Sequence, residues 1–220
     1  MTDSVNLFAL SEKTVAASEI RDYLDREIDA LIESCADAVD LPAEQGRRII
    51  ARYTAVLEGN FIYWMTATYL AVRSREAQAI IEANLREEVR DNHPGMLRRF
   101  ATAARAIPTD TDRYTIDPDL QEVRAFVAKL ATVKIVAMMA FFEGFIARFM
   151  PVLAALAVKQ GSKEMEYTDV HGVVDVAHTQ GLLDAYAAEC AITPEQAEDP
   201  SVLEGVRLLR KLIHTILGNN

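Results

Sequence analysis

Residues 171–178, HGVVDVAH, set His171, Asp175 and His178 among glycine, valine and alanine. The chain has only four histidines, and two of them are here. Two imidazoles and a carboxylate in a stretch that otherwise reads as core suit three kinds of chemistry. They can ligate a metal ion, transfer a proton, or form a satisfied polar network inside a helical core. Each residue of a helix advances about 100°. Steps of four and then three residues therefore hold all three side chains within an arc of roughly 60°, where they can share one centre. Exposed helix faces usually carry Lys and Glu, which this stretch lacks, so a solvated polar face fits it less well.

Two further carboxylates stand in apolar surroundings: Glu58 in AVLEGNFIYWM and Glu143 in AMMAFFEGFIARFM. An unpaired carboxylate there would cost several kcal/mol, so each needs a salt bridge or a role; for Glu143 the salt-bridge partners would be Arg148 or Lys134. Each precedes a glycine, Gly59 or Gly144, which weakens a helix by about 1 kcal/mol relative to alanine and suggests close packing. Glu58 precedes His93 by 35 residues, and Glu143 precedes His178 by the same interval. Two related half-bundles, each sending one Glu and one His inward, would build a centre of the di-iron carboxylate kind, and D-x-x-H is a shorter-armed version of its Glu-x-x-His pair. Near His93, both Glu87 and Glu88 need a kink at Pro94 and Gly95 to reach it. Glu82 has the right angle but lies about three turns away. His214, without carboxylate companions, reads as a core or edge histidine. Three histidines with three or four carboxylates and no thiolate suit iron or manganese better than structural zinc.

The elements that must position these groups read as helices throughout. The stretch from Ser11, a candidate N-cap with Glu12 behind it, runs as one helix to Val39. A central helix follows Pro42 and runs from LPAEQG to AVRS. The next is interrupted near RDNHPG, and PTDTDRYTIDPD reads as the clearest loop. Pro151 divides LQEVRAFVAKLATVKIVAMMAFFEGFIARFM from PVLAALAVKQG. The helices YTDVHGVVDVAHTQGLLDAYAAEC and SVLEGVRLLRKLIHTILG complete the set, with a turn at Thr193, Pro194, Asp199 and Pro200. No run alternates long enough for a strand. The expected architecture is all-α: a single domain over residues 1–220, a bundle of about seven helices.

Composition bounds the partners. Half the residues are hydrophobic and a quarter charged, as in ordinary globular domains. A formal net charge of -10 argues against nucleic acid and anionic membranes. Cys35 and Cys190 have no metal-type spacing and read as buried, reduced residues. The N-terminus lacks a signal-peptide order, and Lys134, Glu143, Arg148 and Pro151 interrupt the apolar runs, so a cytoplasmic protein outside the membrane is expected.

The order Glu58, NLREE (84–88), His93, Glu143 and HGVVDVAH (171–178) resembles the haem-oxygenase-like di-iron oxidases, which share the TenA-like/PqqC-like seven-helix fold. The H-x3-D-x2-H helix is the most specific element, and the resemblance spans residues 58 to 178. It implies two Fe(II) ions and O2 as co-substrate. One iron would take Glu88, His93 and His171; the other would take Glu143, Asp175 and His178, with Glu58 near or between them. Only VRDN separates the double Glu from His93, shorter than in the family, so Glu87 stays an alternative to Glu88 and Asp91 stays open. The implied activity is oxidation of a small amino acid, amine, guanidine or fatty-acid-like substrate, by N-oxygenation, desaturation or C–C cleavage, in natural-product biosynthesis. Tyr53, Phe61, Trp64, Met138, Met139, Phe142 and Phe145 are candidate pocket walls, with ordinary core packing as the competing reading for each. Arg98, Arg99 or Lys134 could meet a substrate carboxylate. A metal-free enzyme on the same scaffold and a non-catalytic helical iron-binding protein are the alternatives, and a homodimer stays open.

Overall fold

The computed structural model describes residues 19–35, 40–197 and 199–218. All of its regular elements there are helices: α1 (Ile20–Ser34), α2 (Ala43–Leu57), α3 (Phe61–Ala71), α4 (Arg75–Arg90), α5 (His93–Ala103), α6 (Asp110–Val127), α7 (Thr132–Lys159), α8 (Glu166–Ile192), α9 (Pro194–Ala197) and α10 (Glu204–Leu217). Nine are of useful length and α9 is a single turn, so the expected count of seven is too low. The Ser11 cap and Glu12 lie outside the described residues.

The additional breaks have local causes. The helix expected from Pro42 to Ser74 stops at Leu57, because Gly59 takes φ 84 and turns the chain before α3 begins. Asn92 takes φ 55 between α4 and α5, and Pro94 then occupies the first turn of α5, where its missing N–H costs nothing. The segment expected as the clearest loop instead starts α6. Thr109 accepts from the Asp112 amide while Asp112 accepts from the Thr109 amide, a reciprocal cap strong enough to start a helix in polar sequence. The helix expected across residues 120–150 divides instead at Leu130, φ 49, and α7 continues through Pro151 to Lys159. Pro151 is exposed, so water can satisfy the carbonyl that it frees.

α7 is the axis of the bundle, with α8 along its length and α1, α2, α3 and α10 against other faces. By length and composition it could cross a bilayer, contrary to the reading from its charges; here its apolar surface is largely buried by neighbouring helices. Its charges are placed individually. Arg148 pairs with Asp25 and Asp29 on α1, Lys134 pairs with Asp199, and Glu143 stays inside. Gly144 shows why glycine follows Glu143: a Cβ there would lie 2.9 Å from Ile28 of α1 and 3.4 Å from Thr179 of α8. Gly59 has no such neighbour and is required for its backbone angle alone.

Candidate metal centre

Four helices converge on one buried polar region: α4 with Glu87 and Glu88, α5 with His93, α7 with Glu143, and α8 with His171, Asp175 and His178. Six of the seven sequence candidates come together in two groups. Glu88, His93 and His171 form one, and Glu143, Asp175 and His178 the other; in each, the candidate ligand atoms lie within 4.8 Å of one another. All six residues are buried. Two atoms bound to one ion at about 2.1 Å sit no more than about 4.2 Å apart. Small side-chain rotations would therefore close either group on an ion.

In the first group, His93 Nδ1 and Glu88 Oε1 are 2.6 Å apart, and the His93 ring meets the His171 ring edge-on at 4.5 Å. His171 Nδ1 lies 2.8 Å from the Tyr167 carbonyl oxygen. That oxygen can only accept, so Nδ1 carries the hydrogen and Nε2 keeps its lone pair for a metal. Burial, followed by the charge of His93, lowers the His171 pKa to about 3. Its imidazole is neutral at ordinary pH.

In the second group, His178 Nδ1 faces Glu143 Oε2 at 3.8 Å and Asp175 Oδ1 at 3.7 Å. Nε2 on the other side of the ring faces Glu87 Oε2 at 3.4 Å. Burial pulls the His178 pKa down, but Glu143 and Glu87 outweigh it and hold the imidazole at about 9. Burial raises Glu143, and it raises Asp175 well above the usual carboxylate range, with the charge of Glu143 adding to the effect. Both oxygens of Glu143, both of Asp175, and His178 Nδ1 are buried with no hydrogen-bond partner among the described residues. Buried polar atoms are nearly always satisfied, and unpaired buried carboxylates are costly. Glu143, Asp175 and His178 each bring one ligand atom to within 4.8 Å of the others, an arrangement that fits a cation.

Other candidates sit elsewhere. Glu58, at the end of α2, accepts a 2.5 Å bond from Arg98 and is part-exposed, so the 35-residue interval it shares with Glu143 does not carry it inward. Asp91 pairs with Arg90, and Glu82 with Arg86, at the surface. Arg99 pairs with Glu166 and Lys134 with Asp199. His214 is half-buried on α10. Cys35 is buried, its Sγ donates to the Leu31 carbonyl, and burial raises its pKa to about 11. Such a thiol is a poor nucleophile.

A cavity of about 20 Å³ touches the first group, room for a molecule of water size. Apolar walls from Leu57, Phe61, Ile62, Leu97 and Ile146 meet Glu88, His93, His171 and Asp175 there. Of the proposed pocket walls only Phe61 reaches it. Trp64, Met138, Met139, Phe142 and Phe145 are core: Trp64 packs edge-on against Phe142 at 5.5 Å, and Phe145 stacks on Phe149. Tyr53 stands one step back, its hydroxyl 2.8 Å from that of Tyr167. Tyr167 itself lines the cavity, with its ring centroid 4.2 Å from that of His171. It was missed from sequence although it precedes His171 by one helical turn and so shares its face.

An all-helical bundle holding two buried carboxylate and imidazole groups, free of thiolate, offers donor sets compatible with binding an ion such as iron. A family model described as iron-containing redox enzyme matches residues 49–213, and the chain belongs to that family of oxidoreductases. No curated protein and no solved structure gives a match.

Proposed function

We propose that the protein is an O2-dependent non-haem di-iron oxidase, with Glu88, His93 and His171 holding one iron and Glu143, Asp175 and His178 the other. The observation that carries this reading is the set of buried atoms without a hydrogen-bond partner on Glu143, Asp175 and His178, in a chain of an iron-containing redox family. The two groups differ chemically. Two imidazoles with one carboxylate is the donor set of non-haem Fe(II) oxygenases, whereas two carboxylates with one imidazole is the harder set. When bound, the two ions supply the reduction of dioxygen that no side chain can perform.

The chain's own residues supply the rest. Tyr167 fixes the His171 tautomer through its carbonyl and covers the ring with its own. Glu87 faces the outer nitrogen of His178 and leaves Nδ1 directed at the two carboxylates. Leu57, Phe61, Ile62, Leu97 and Ile146 exclude water from the open side of the first group. Apart from the candidate ligands, no charged side chain lines that cavity. Within the range that the resemblance implies, the apolar end is therefore favoured: a substrate with an aliphatic body and one polar head that reaches the metal. Natural-product biosynthesis and a cytoplasmic setting belong to this reading as well.

Anaerobic loading with Fe(II), followed by O2 under stopped-flow absorption, tests it. Uptake of about two iron ions per chain and a transient visible band are the expected result. Absence of uptake, or uptake unchanged in the His171→Ala, Asp175→Ala double variant, would overturn it.

A further inference from the structure

A second cavity, of about 410 Å³, lies away from the metal groups, between α2 and the turn that joins α5 to α6. Its size is within the range of ligand-binding clefts. Four arginines line it, Arg47, Arg48 and Arg52 from α2 and Arg105 from the turn, against two carboxylates, Glu44 and Asp112. An excess of two positive charges thus gathers in one concavity of a chain whose net charge is -10. Solubility does not require such a cluster.

The ion pairs within the cleft leave donors unused. Arg48 is taken by Glu44 at 2.6 Å. Asp112 Oδ2 accepts from the Thr109 amide and hydroxyl, and Oδ1 lies 3.8 Å from Arg52 Nε. Arg52 donates from one terminal nitrogen to the Thr215 carbonyl, while its Nε is buried without a hydrogen-bond partner. No hydrogen bond or ion pair to the side chain of Arg47 or Arg105 occurs among the described residues. Arg105 takes φ 54 at the end of α5, a position that favours glycine, so a long cationic side chain is held there at some backbone cost. Beside these charges lie Ala51, Ala106 and Ile107, the last 62% exposed.

We propose that this cleft binds a phosphate-bearing small molecule. Arg47 and Arg105 take the phosphate through their planar N–H forks, and Arg52 adds positive charge to the cleft wall. Ile107 with Ala51 and Ala106 forms a shelf for the organic part. The ligand would join the C-terminal end of α5 to α2, and these helices carry His93 and Leu57 at the first cavity. The site does not depend on iron.

Isothermal titration of the full chain with inorganic phosphate, AMP and adenosine separates the contributions. Phosphate and AMP bind, AMP more tightly, adenosine does not, and added NaCl weakens both. Arg47→Ala and Arg105→Ala each weaken AMP binding by about tenfold or more. Arg86→Ala, a surface arginine elsewhere, leaves it unchanged. The proposal falls if neither phosphate nor AMP binds at up to about 10 mM. It also falls if a folded Arg47→Ala, Arg105→Ala variant, checked by circular dichroism, binds AMP as wild type does. Metal-free and iron-loaded protein give the same answer, so failure here leaves the di-iron reading standing.

Discussion

With a metal held by Glu143, Asp175 and His178 as proposed, protons and metal compete directly at His178. With its pKa held at about 9 by Glu143 and Glu87 against the effect of burial, the imidazole carries at pH 7 a proton that a metal must displace. Asp175 and Glu143, both shifted upward by burial, act in the same sense. His171, near 3, has no proton to lose. Raising the pH therefore strengthens metal binding at the second group, by about tenfold per unit for each proton displaced, until pH passes about 9; His171 adds no such slope to the first. Co(II) titrations followed by absorption between pH 6 and 9 measure this. Glu87→Gln removes one of the two carboxylates that hold the proton on His178, so its plateau begins at lower pH. A plateau at the wild-type position would exclude Glu87 as the partner of His178.

At the scale of elements, the spacing between α1, α7 and α8 sets the second group. Gly144 is the contact point, one residue from Glu143 and between Ile28 and Thr179. Gly144→Leu must push α1 or α8 outward and destabilises the fold by about 1–3 kcal/mol, as overpacking does. Because the second group draws all three of its residues from α7 and α8, whereas the first takes only His171 from α8, Co(II) binding at the second group weakens more than at the first. Equal loss at both would mean a general loosening rather than displacement of α8. Which parts of this arrangement could be read from sequence follows from how local each cause is. The period of HGVVDVAH gave one face because helical periodicity is a local property. Glu143 stood out because a carboxylate among Met and Phe is conspicuous. Glu58 stood out for the same reason and yet ends at Arg98, since α2 stops at Leu57 and Glu58 leaves it in extended backbone at ψ 103. The reciprocal cap at Thr109 hid α6 inside polar sequence. Core and cavity walls were indistinguishable because Trp64 and Phe61, three residues apart on α3, differ only in which neighbour meets them.

For the whole molecule, the proposed metal groups would link binding to folding. Their six residues span four helices and the ninety positions from Glu88 to His178, so the unfolded state cannot assemble either group, and an ion that binds only the folded form stabilises it. At about 100 times its dissociation constant, one ion contributes about 2.7 kcal/mol. For a chain of this size that raises the melting temperature by roughly 5–10 °C per site. The metal-free protein, by contrast, holds Glu143 and Asp175 without hydrogen-bond partners and with one imidazole, His178, between two carboxylates, which burial makes unfavourable once both ionise. Asp175→Asn removes one of those charges with little change of shape. Metal-free, it melts no lower than wild type, and increasingly higher as pH rises, because a carboxylate with a raised folded pKa loses stability as pH climbs through that interval. With Mn(II) or anaerobic Fe(II) the order inverts, since the variant gains from one group only. Thermal melts of both proteins, with and without metal at pH 6 and 8, decide the matter. A variant that melts below wild type in both states would show that Asp175 has a protein partner and that its place in the fold is structural.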